Sequence, residues 1–135
     1  MDPKEFLTSY LNDFSDLVKS DERTIEQLEE VADLLKVVHS DGKKTLVFGN
    51  GGSAAMASHF SVDLTKNAGL RCVNFNEADL ITCFANDYGF ERWVEKAVDF
   101  YGDEGDLLIV ISSSGSSENM LNGVKAARNG NFRAV

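Results

Sequence analysis

The chain opens with apolar residues at helical spacing. Phe6, Leu7, Tyr10, Leu11, Phe14, Leu17 and Val18 recur every three or four positions, which puts them on one face of an amphipathic helix. Asp2-Pro3-Lys4-Glu5 reads as its start, with Asp as cap, Pro in the first turn and Glu three residues on. A second amphipathic helix is expected from about Asp21 to Val38, with Ile25, Leu28, Ala32, Leu35 and Val38 on its apolar face and Asp41-Gly42 ending it. Two such stripes must be covered, by the domain that follows, by a partner subunit or by both.

The pattern changes at Lys44. Short apolar runs now alternate with helical stretches. Thr45-Leu46-Val47-Phe48 and Leu107-Leu108-Ile109-Val110-Ile111 read as buried strands, Arg71 to Phe75 as another, and Phe132 to Val135 as a strand just beginning. Helices are expected over about Ala54 to Leu64, Asp79 to Ala85, Phe90 to Tyr101 and Met120 to Arg128, with Asn86-Asp87-Tyr88-Gly89 as a break. The strands are continuously apolar, which favours a parallel sheet covered on both faces. The expected fold is therefore α/β, a doubly wound parallel sheet over 45–135 preceded by a helical segment over 1–44. Trp93, Phe100 and Tyr101 fall on helix faces and are read as core or interface, and His39, at the end of the second helix, as structural.

Composition narrows the function. The 135 residues carry 13 basic and 22 acidic side chains, a net charge of −9. The acid excess is spread along the chain, which argues against nucleic acid or an anionic membrane as partner. No apolar run is long enough to span a bilayer, and Met-Asp-Pro-Lys-Glu lacks the basic-then-apolar order of a signal peptide, so a cytoplasmic protein with reduced Cys72 and Cys83 is expected.

Two loops carry the candidate chemistry. Gly49-Asn50-Gly51-Gly52-Ser53 follows the first strand, and Ser112-Ser113-Ser114-Gly115-Ser116-Ser117-Glu118-Asn119 follows the Leu107 strand. Each runs from a buried strand into a helix. In an open α/β sheet both loops lie at the strand ends where ligands bind. Helix N-termini offer unpaired N–H groups to phosphate, glycines allow close approach, and serines add hydroxyl donors. Neither loop contains Lys or Arg, so an anion would be held by neutral donors and helix dipoles. Gly and Ser are also common wherever a strand turns into a helix, but two such loops make a domain without a ligand a poor account. The first loop lacks the third Gly of the dinucleotide fingerprint, and no Gly-Lys-Ser/Thr occurs, so no nucleotide cofactor is expected.

His59 and Asp63 stand four apart on the helix after the first loop, hence on one face. They suit a general base pair, two ligands of a metal, or simply a hydrogen bond along the helix. Asn86-Asp87 is a third candidate, set against ordinary turn chemistry.

At these residues the sequence resembles the sugar isomerase (SIS) family, and within it the phosphoheptose isomerases. The similarity runs through the N-terminal helices, Gly49 to Ser53, the His59 helix, Asn86 to Phe90 and Ser112 to Asn119. It implies SIS-type, flavodoxin-like layers and a homotetramer with active sites between subunits. It implies that Ser112, Ser114 and Ser117 hold phosphate, and that Asn50, Ser53 and Asp87, with Gly51 and Gly52, meet the sugar. The implied chemistry is aldose–ketose isomerisation of sedoheptulose 7-phosphate through an enediolate, of the kind that supplies heptose to surface polysaccharides. Asp63 would be the base, where the family usually has Glu. The alternative is a non-catalytic SIS module that binds phosphosugars or another protein, such as a replication initiator. Some members bind zinc through a His and an acid matching His59 and Asp63, together with a later Gln and His. This sequence has no His after His59 and no Gln after Gln27. The general acid and the rest of the sheet are therefore expected beyond Val135, in a longer natural chain.

Overall fold

A computed structural model of the chain describes residues 2–19 and 21–135. Its contacts divide into two compact units, Met1–Asp33 and Leu34–Val135. The first holds helix α1 (Pro3–Leu17) and the beginning of α2 (Glu22–Ser40). Asp2 occupies the cap position of α1, but its side chain makes no capping bond, so the expected cap is positional only. Asp21 does cap α2: its carboxylate accepts the Thr24 N–H at 2.8 Å, which holds its pKa below the usual value. No residue of α1 is buried, and Phe6, Leu7, Tyr10, Leu11 and Phe14 are all exposed.

The second unit contains the rest of α2, whose Leu35 and Val38 are buried, and then alternating strands and helices. These are β1 (Thr45–Gly49), α3 (Gly52–Lys66), β2 (Cys72–Asn74), α4 (Ala78–Tyr88), a 3-10 turn (Phe90–Arg92), α5 (Trp93–Tyr101), β3 (Leu107–Ile111), α6 (Glu118–Asn129) and β4 (Arg133–Ala134). The strands form one parallel sheet in the order β2-β1-β3-β4. The chain steps from β1 outward to β2, crosses back over β1 to β3, and continues to β4. The reversal falls between β1 and β3, which pair in register from Thr45 opposite Leu107 to Gly49 opposite Ile111. This is the doubly wound arrangement expected from the apolar strands.

Strand side chains alternate between the two faces. Leu46 and Phe48 of β1 and Leu108 of β3 meet Trp93, Val94, Ala97 and Val98 of α5 and Met120 and Ala127 of α6 in one buried cluster. Phe48 stacks on Phe75 at 5.1 Å and meets Trp93 edge-on at 5.6 Å. Trp93 is core, as its helix position suggested. Phe100 and Tyr101 remain exposed and lean on Phe84 and Phe75. Helix α3 packs on β1 and β2.

At the N-terminal ends of β1 and β3 sits an ionic clamp. Asp106 is buried, and its carboxylate accepts the backbone N–H of Lys44 at 3.0 Å, that of Asp103 at 2.8 Å and the Lys44 ammonium at 2.5 Å. Asp103 takes a further bond from the same ammonium at 2.6 Å. Burial alone would lower the Lys44 pKa, but the bonds and charges of Asp103 and Asp106 outweigh it and the net shift is upward.

One expectation is corrected here. Asn86, Asp87 and Tyr88 do not form a break; α4 runs through them and stops at Gly89, whose φ of +92° a side chain would disfavour.

Candidate active site

Both loops lie where β1 and β3 end, at the reversal in strand order, which is the usual ligand position in this architecture. Gly49 ends β1. A Cβ there would come within 2.5 Å of the Ser53 backbone, so only glycine lets the first turn of α3 fold back this closely on the strand. Gly51 then takes φ +54°. The Asn50 carbonyl accepts the N–H groups of Ser53 at 3.0 Å and Ala54 at 3.4 Å, which starts the helix with no side-chain cap.

The second loop folds on its own hydroxyls. Ser112 Oγ accepts the Gly115 N–H and Ser114 Oγ the Ser116 N–H, each at 3.2 Å, and the two oxygens stand 3.5 Å apart. A hydroxyl that accepts in this way still has its O–H to donate. Ser117 is the N-cap of α6 in extended conformation, yet its side chain does not cap the helix. The first turn of α6 is thus open to an anion, with the Ser117 hydroxyl beside it.

The two loops are tied together. Asn50 Nδ2 donates to Asn119 Oδ1 at 3.0 Å, and Asn119 Nδ2 donates to Asn50 Oδ1 at 2.9 Å. Asn119 is 3% exposed. No local pattern in the sequence assigns a role to Asn119, at the end of the second loop. Its signal was a lone polar residue on the inward face of α6, next to buried Met120.

A second polar network was also missed. Asn76 Nδ2 donates to the Ala54 carbonyl at 2.8 Å and to Ser58 Oγ at 2.7 Å, and Asn74 Nδ2 donates to Ser61 Oγ at 2.7 Å. These bonds pin one face of α3 to the end of β2. They leave the neighbouring face, with His59 and Asp63, pointing to solvent. His59 Nε2 lies 3.5 Å from Asp63 Oδ2, so the pair expected from the spacing does meet, but both side chains are exposed. Asp63 is ten residues beyond Ser53 on α3, about 15 Å along the axis at 1.5 Å per residue. Among the described residues no third His, Cys, Asp or Glu joins His59 and Asp63. Asp87 accepts the Asn86 side-chain N–H at 2.9 Å and has Cys83 Sγ at 3.8 Å, and no hydrogen bond links it to either loop among the described residues.

The strand order brings the Asn50–Ser53 loop and the Ser112–Ser117 loop to neighbouring strand ends, and the Asn50–Asn119 pair joins the first loop to the helix that follows the second. His59 and Asp63 lie farther along α3 and Asp87 lies on α4, and among the described residues no hydrogen bond joins them to either loop. Two grooves elsewhere, one between α5 and α6 and one beneath α4 and β2, contain none of the loop residues.

The chain is 39% identical over 129 residues to a phosphoheptose isomerase of Fusobacterium nucleatum, covering 90% of this chain and 66% of that one. It is 37% identical over 131 residues to one of Aliarcobacter butzleri, covering 93% and 67%. Among solved structures, phosphoheptose isomerase GmhA of Neisseria gonorrhoeae superimposes with a TM-score of 0.88 at 30% identity, over 97% of this chain and 71% of that one. A phosphoheptose isomerase of Francisella tularensis gives 0.86 at 28%, over 99% and 74%. The chain spans about two thirds of the length of the curated relatives it matches. A family model described as the SIS domain matches residues 9–135, and the chain belongs to that family.

Proposed function

We propose that the chain is the phosphosugar-binding part of an aldose–ketose isomerase that converts sedoheptulose 7-phosphate to glycero-manno-heptose 7-phosphate. The observation that carries this is the crevice between β1 and β3. Its two glycine and serine loops offer backbone N–H groups, hydroxyls and one side-chain amide, with no cation among them. Such a site suits a dianionic phosphate at one end and sugar hydroxyls at the other. The relatives and structures cited above are all phosphoheptose isomerases, which supports the seven-carbon substrate and gives none to a non-catalytic module.

In this reading Ser112, Ser114 and Ser117 donate to the phosphate at the start of α6. Asn50, Gly51, Gly52, Ser53 and Asp87 meet the sugar. A base takes a proton from the carbon next to the carbonyl, an enediolate forms, and an acid returns a proton at the neighbouring carbon. Asp63 is the proposed base. Its distance down α3 supports a site completed by a second copy of the chain, in keeping with a homotetramer. His59 and Asp63 are two ligands where a closed zinc site needs four. The described residues therefore do not by themselves fit zinc, and the proton transfers above do not depend on it. The proposed setting is the cytoplasm, in heptose supply for lipopolysaccharide or capsule. No helix among the described residues is long and apolar enough to cross a membrane.

Incubation of the full-length protein with sedoheptulose 7-phosphate, followed by assay for the aldose, tests the activity. Turnover that is lost in Asp63→Asn is the expected result. No turnover by the folded full-length protein defeats the isomerase reading, and unchanged turnover in Asp63→Asn removes Asp63 from the role of base.

A further inference from the structure

We infer that Asn119 is a positioning residue for ligand binding, which it serves by holding the Asn50 side chain through the reciprocal amide pair. The inference rests on the phosphosugar reading and adds to it a residue that touches no ligand.

A primary amide has two N–H donors and one carbonyl. The pair uses one donor and the carbonyl of each residue. Asn119 is buried, so its amide is held by its surroundings, whereas Asn50 is half-buried at the crevice. With one N–H and its oxygen committed to Asn119, the Asn50 side chain is left with a second N–H in a fixed direction. That is the donor a sugar oxygen can use. The Asn50 backbone is equally constrained, because its carbonyl accepts the first N–H groups of α3. Asn119 lies in the first turn of α6, two residues after Ser117. The amide pair therefore fixes one loop's donor relative to the other loop's helix start, across 69 residues of sequence.

The residue type is restricted. Asp at either position has no donor at neutral pH, and an apolar residue offers neither donor nor acceptor, so each would leave the remaining amide half satisfied. The pair is also uncharged. A Lys–Asp bridge at the same place would tie the loops equally well but would set a carboxylate beside the phosphate.

A double-mutant cycle read by calorimetry with sedoheptulose 7-phosphate tests the role. Asn119→Ala is expected to weaken binding about tenfold in the otherwise unaltered chain, the size of one well-placed hydrogen bond. In the Asn50→Ala background the same change is expected to cost less than about twofold, because its only route to the ligand is gone. Thermal midpoints without ligand report folding. Should Asn119→Ala unfold the protein, Asn119→Leu repeats the cycle with nearly the native shape and no added charge. Losses that multiply in the double variant overturn the positioning role and leave the phosphosugar reading intact. An unaltered, folded chain that binds neither sedoheptulose 7-phosphate nor inorganic phosphate defeats that reading, and the positioning role falls with it.

Discussion

Strands β1 and β3 are joined at both ends by side chains, and the two joints use opposite chemistry. At the N-terminal end, Asp106 and Asp103 grip Lys44 with full charges and backbone N–H groups. At the C-terminal end, Asn50 and Asn119 exchange two neutral amide bonds. The ionic joint lies away from the ligand edge, where a fixed carboxylate does no harm. The neutral joint lies at the edge proposed for the phosphate, in a protein whose net charge of −9 already opposes an anion. A charge can secure the sheet, but only where the substrate does not have to share the space.

The contrast can be broken from either end. Asp106→Ala strands two backbone N–H groups and leaves the Lys44 ammonium to Asp103 alone, and is expected to cost about 3 kcal/mol of stability. Urea denaturation measures it, and sugar phosphate affinity well below the transition should stay within about twofold. Gly49→Ala acts at the other end. Its Cβ would strike the Ser53 backbone, at a cost of about 2 kcal/mol. Here the ligand affinity should collapse along with stability; retained affinity would show that the close turn is not needed by the site.

A smaller effect should appear with pH. The Asp103 carboxyl is held below its ordinary value of 3.8 by its bond to Lys44, so its contribution is present above that value and fades as pH falls through the lower, folded one. Lys44 is shifted above 10.5, so its contribution is complete below that value and is lost as pH climbs through the higher, folded one. The melting midpoint of Asp103→Asn should therefore converge on that of the unaltered chain in acid and diverge near neutrality. A constant gap at every pH would mean that the bridge adds nothing to stability. The smallest effect is chemical. Burial pushes the Cys72 thiol up to about 11, while Cys83 is exposed. At pH 8 a maleimide should modify Cys83 first and Cys72 only on opening. Cys72 pairs with Thr45 beside the clamp, so Asp106→Ala should speed its reaction and Gly49→Ala should do so less.

The fold was legible where one local signal sufficed. Continuous apolar runs gave β1 and β3 nearly to the residue, and glycine with serine after each gave the loops. Asp87 was misplaced because Asn and Asp favour turns, yet α4 continues until Gly89 ends it. Asn119, Asn74 and Asn76 went unassigned for a different reason. Their partners lie 69, 13 and 18 residues away in sequence, and no local pattern reports such pairings. His59 and Asp63 were correctly paired, but spacing along a helix does not say which way the shared face points.

The reversal in strand order has a kinetic consequence. Thr45 and Leu107 are register partners, and the clamp between the same strand ends spans 62 residues. Each loop is built from neighbouring sequence, but the two meet only when the chain between them closes, and that segment includes α3, β2, α4 and α5. Long-range parallel pairing of this kind is slow to form. A chain caught before β3 docks on β1 has helices, but it has no crevice. Recovery of sugar phosphate binding during refolding should therefore lag behind recovery of helical signal, and the lag would time the closing of the sheet.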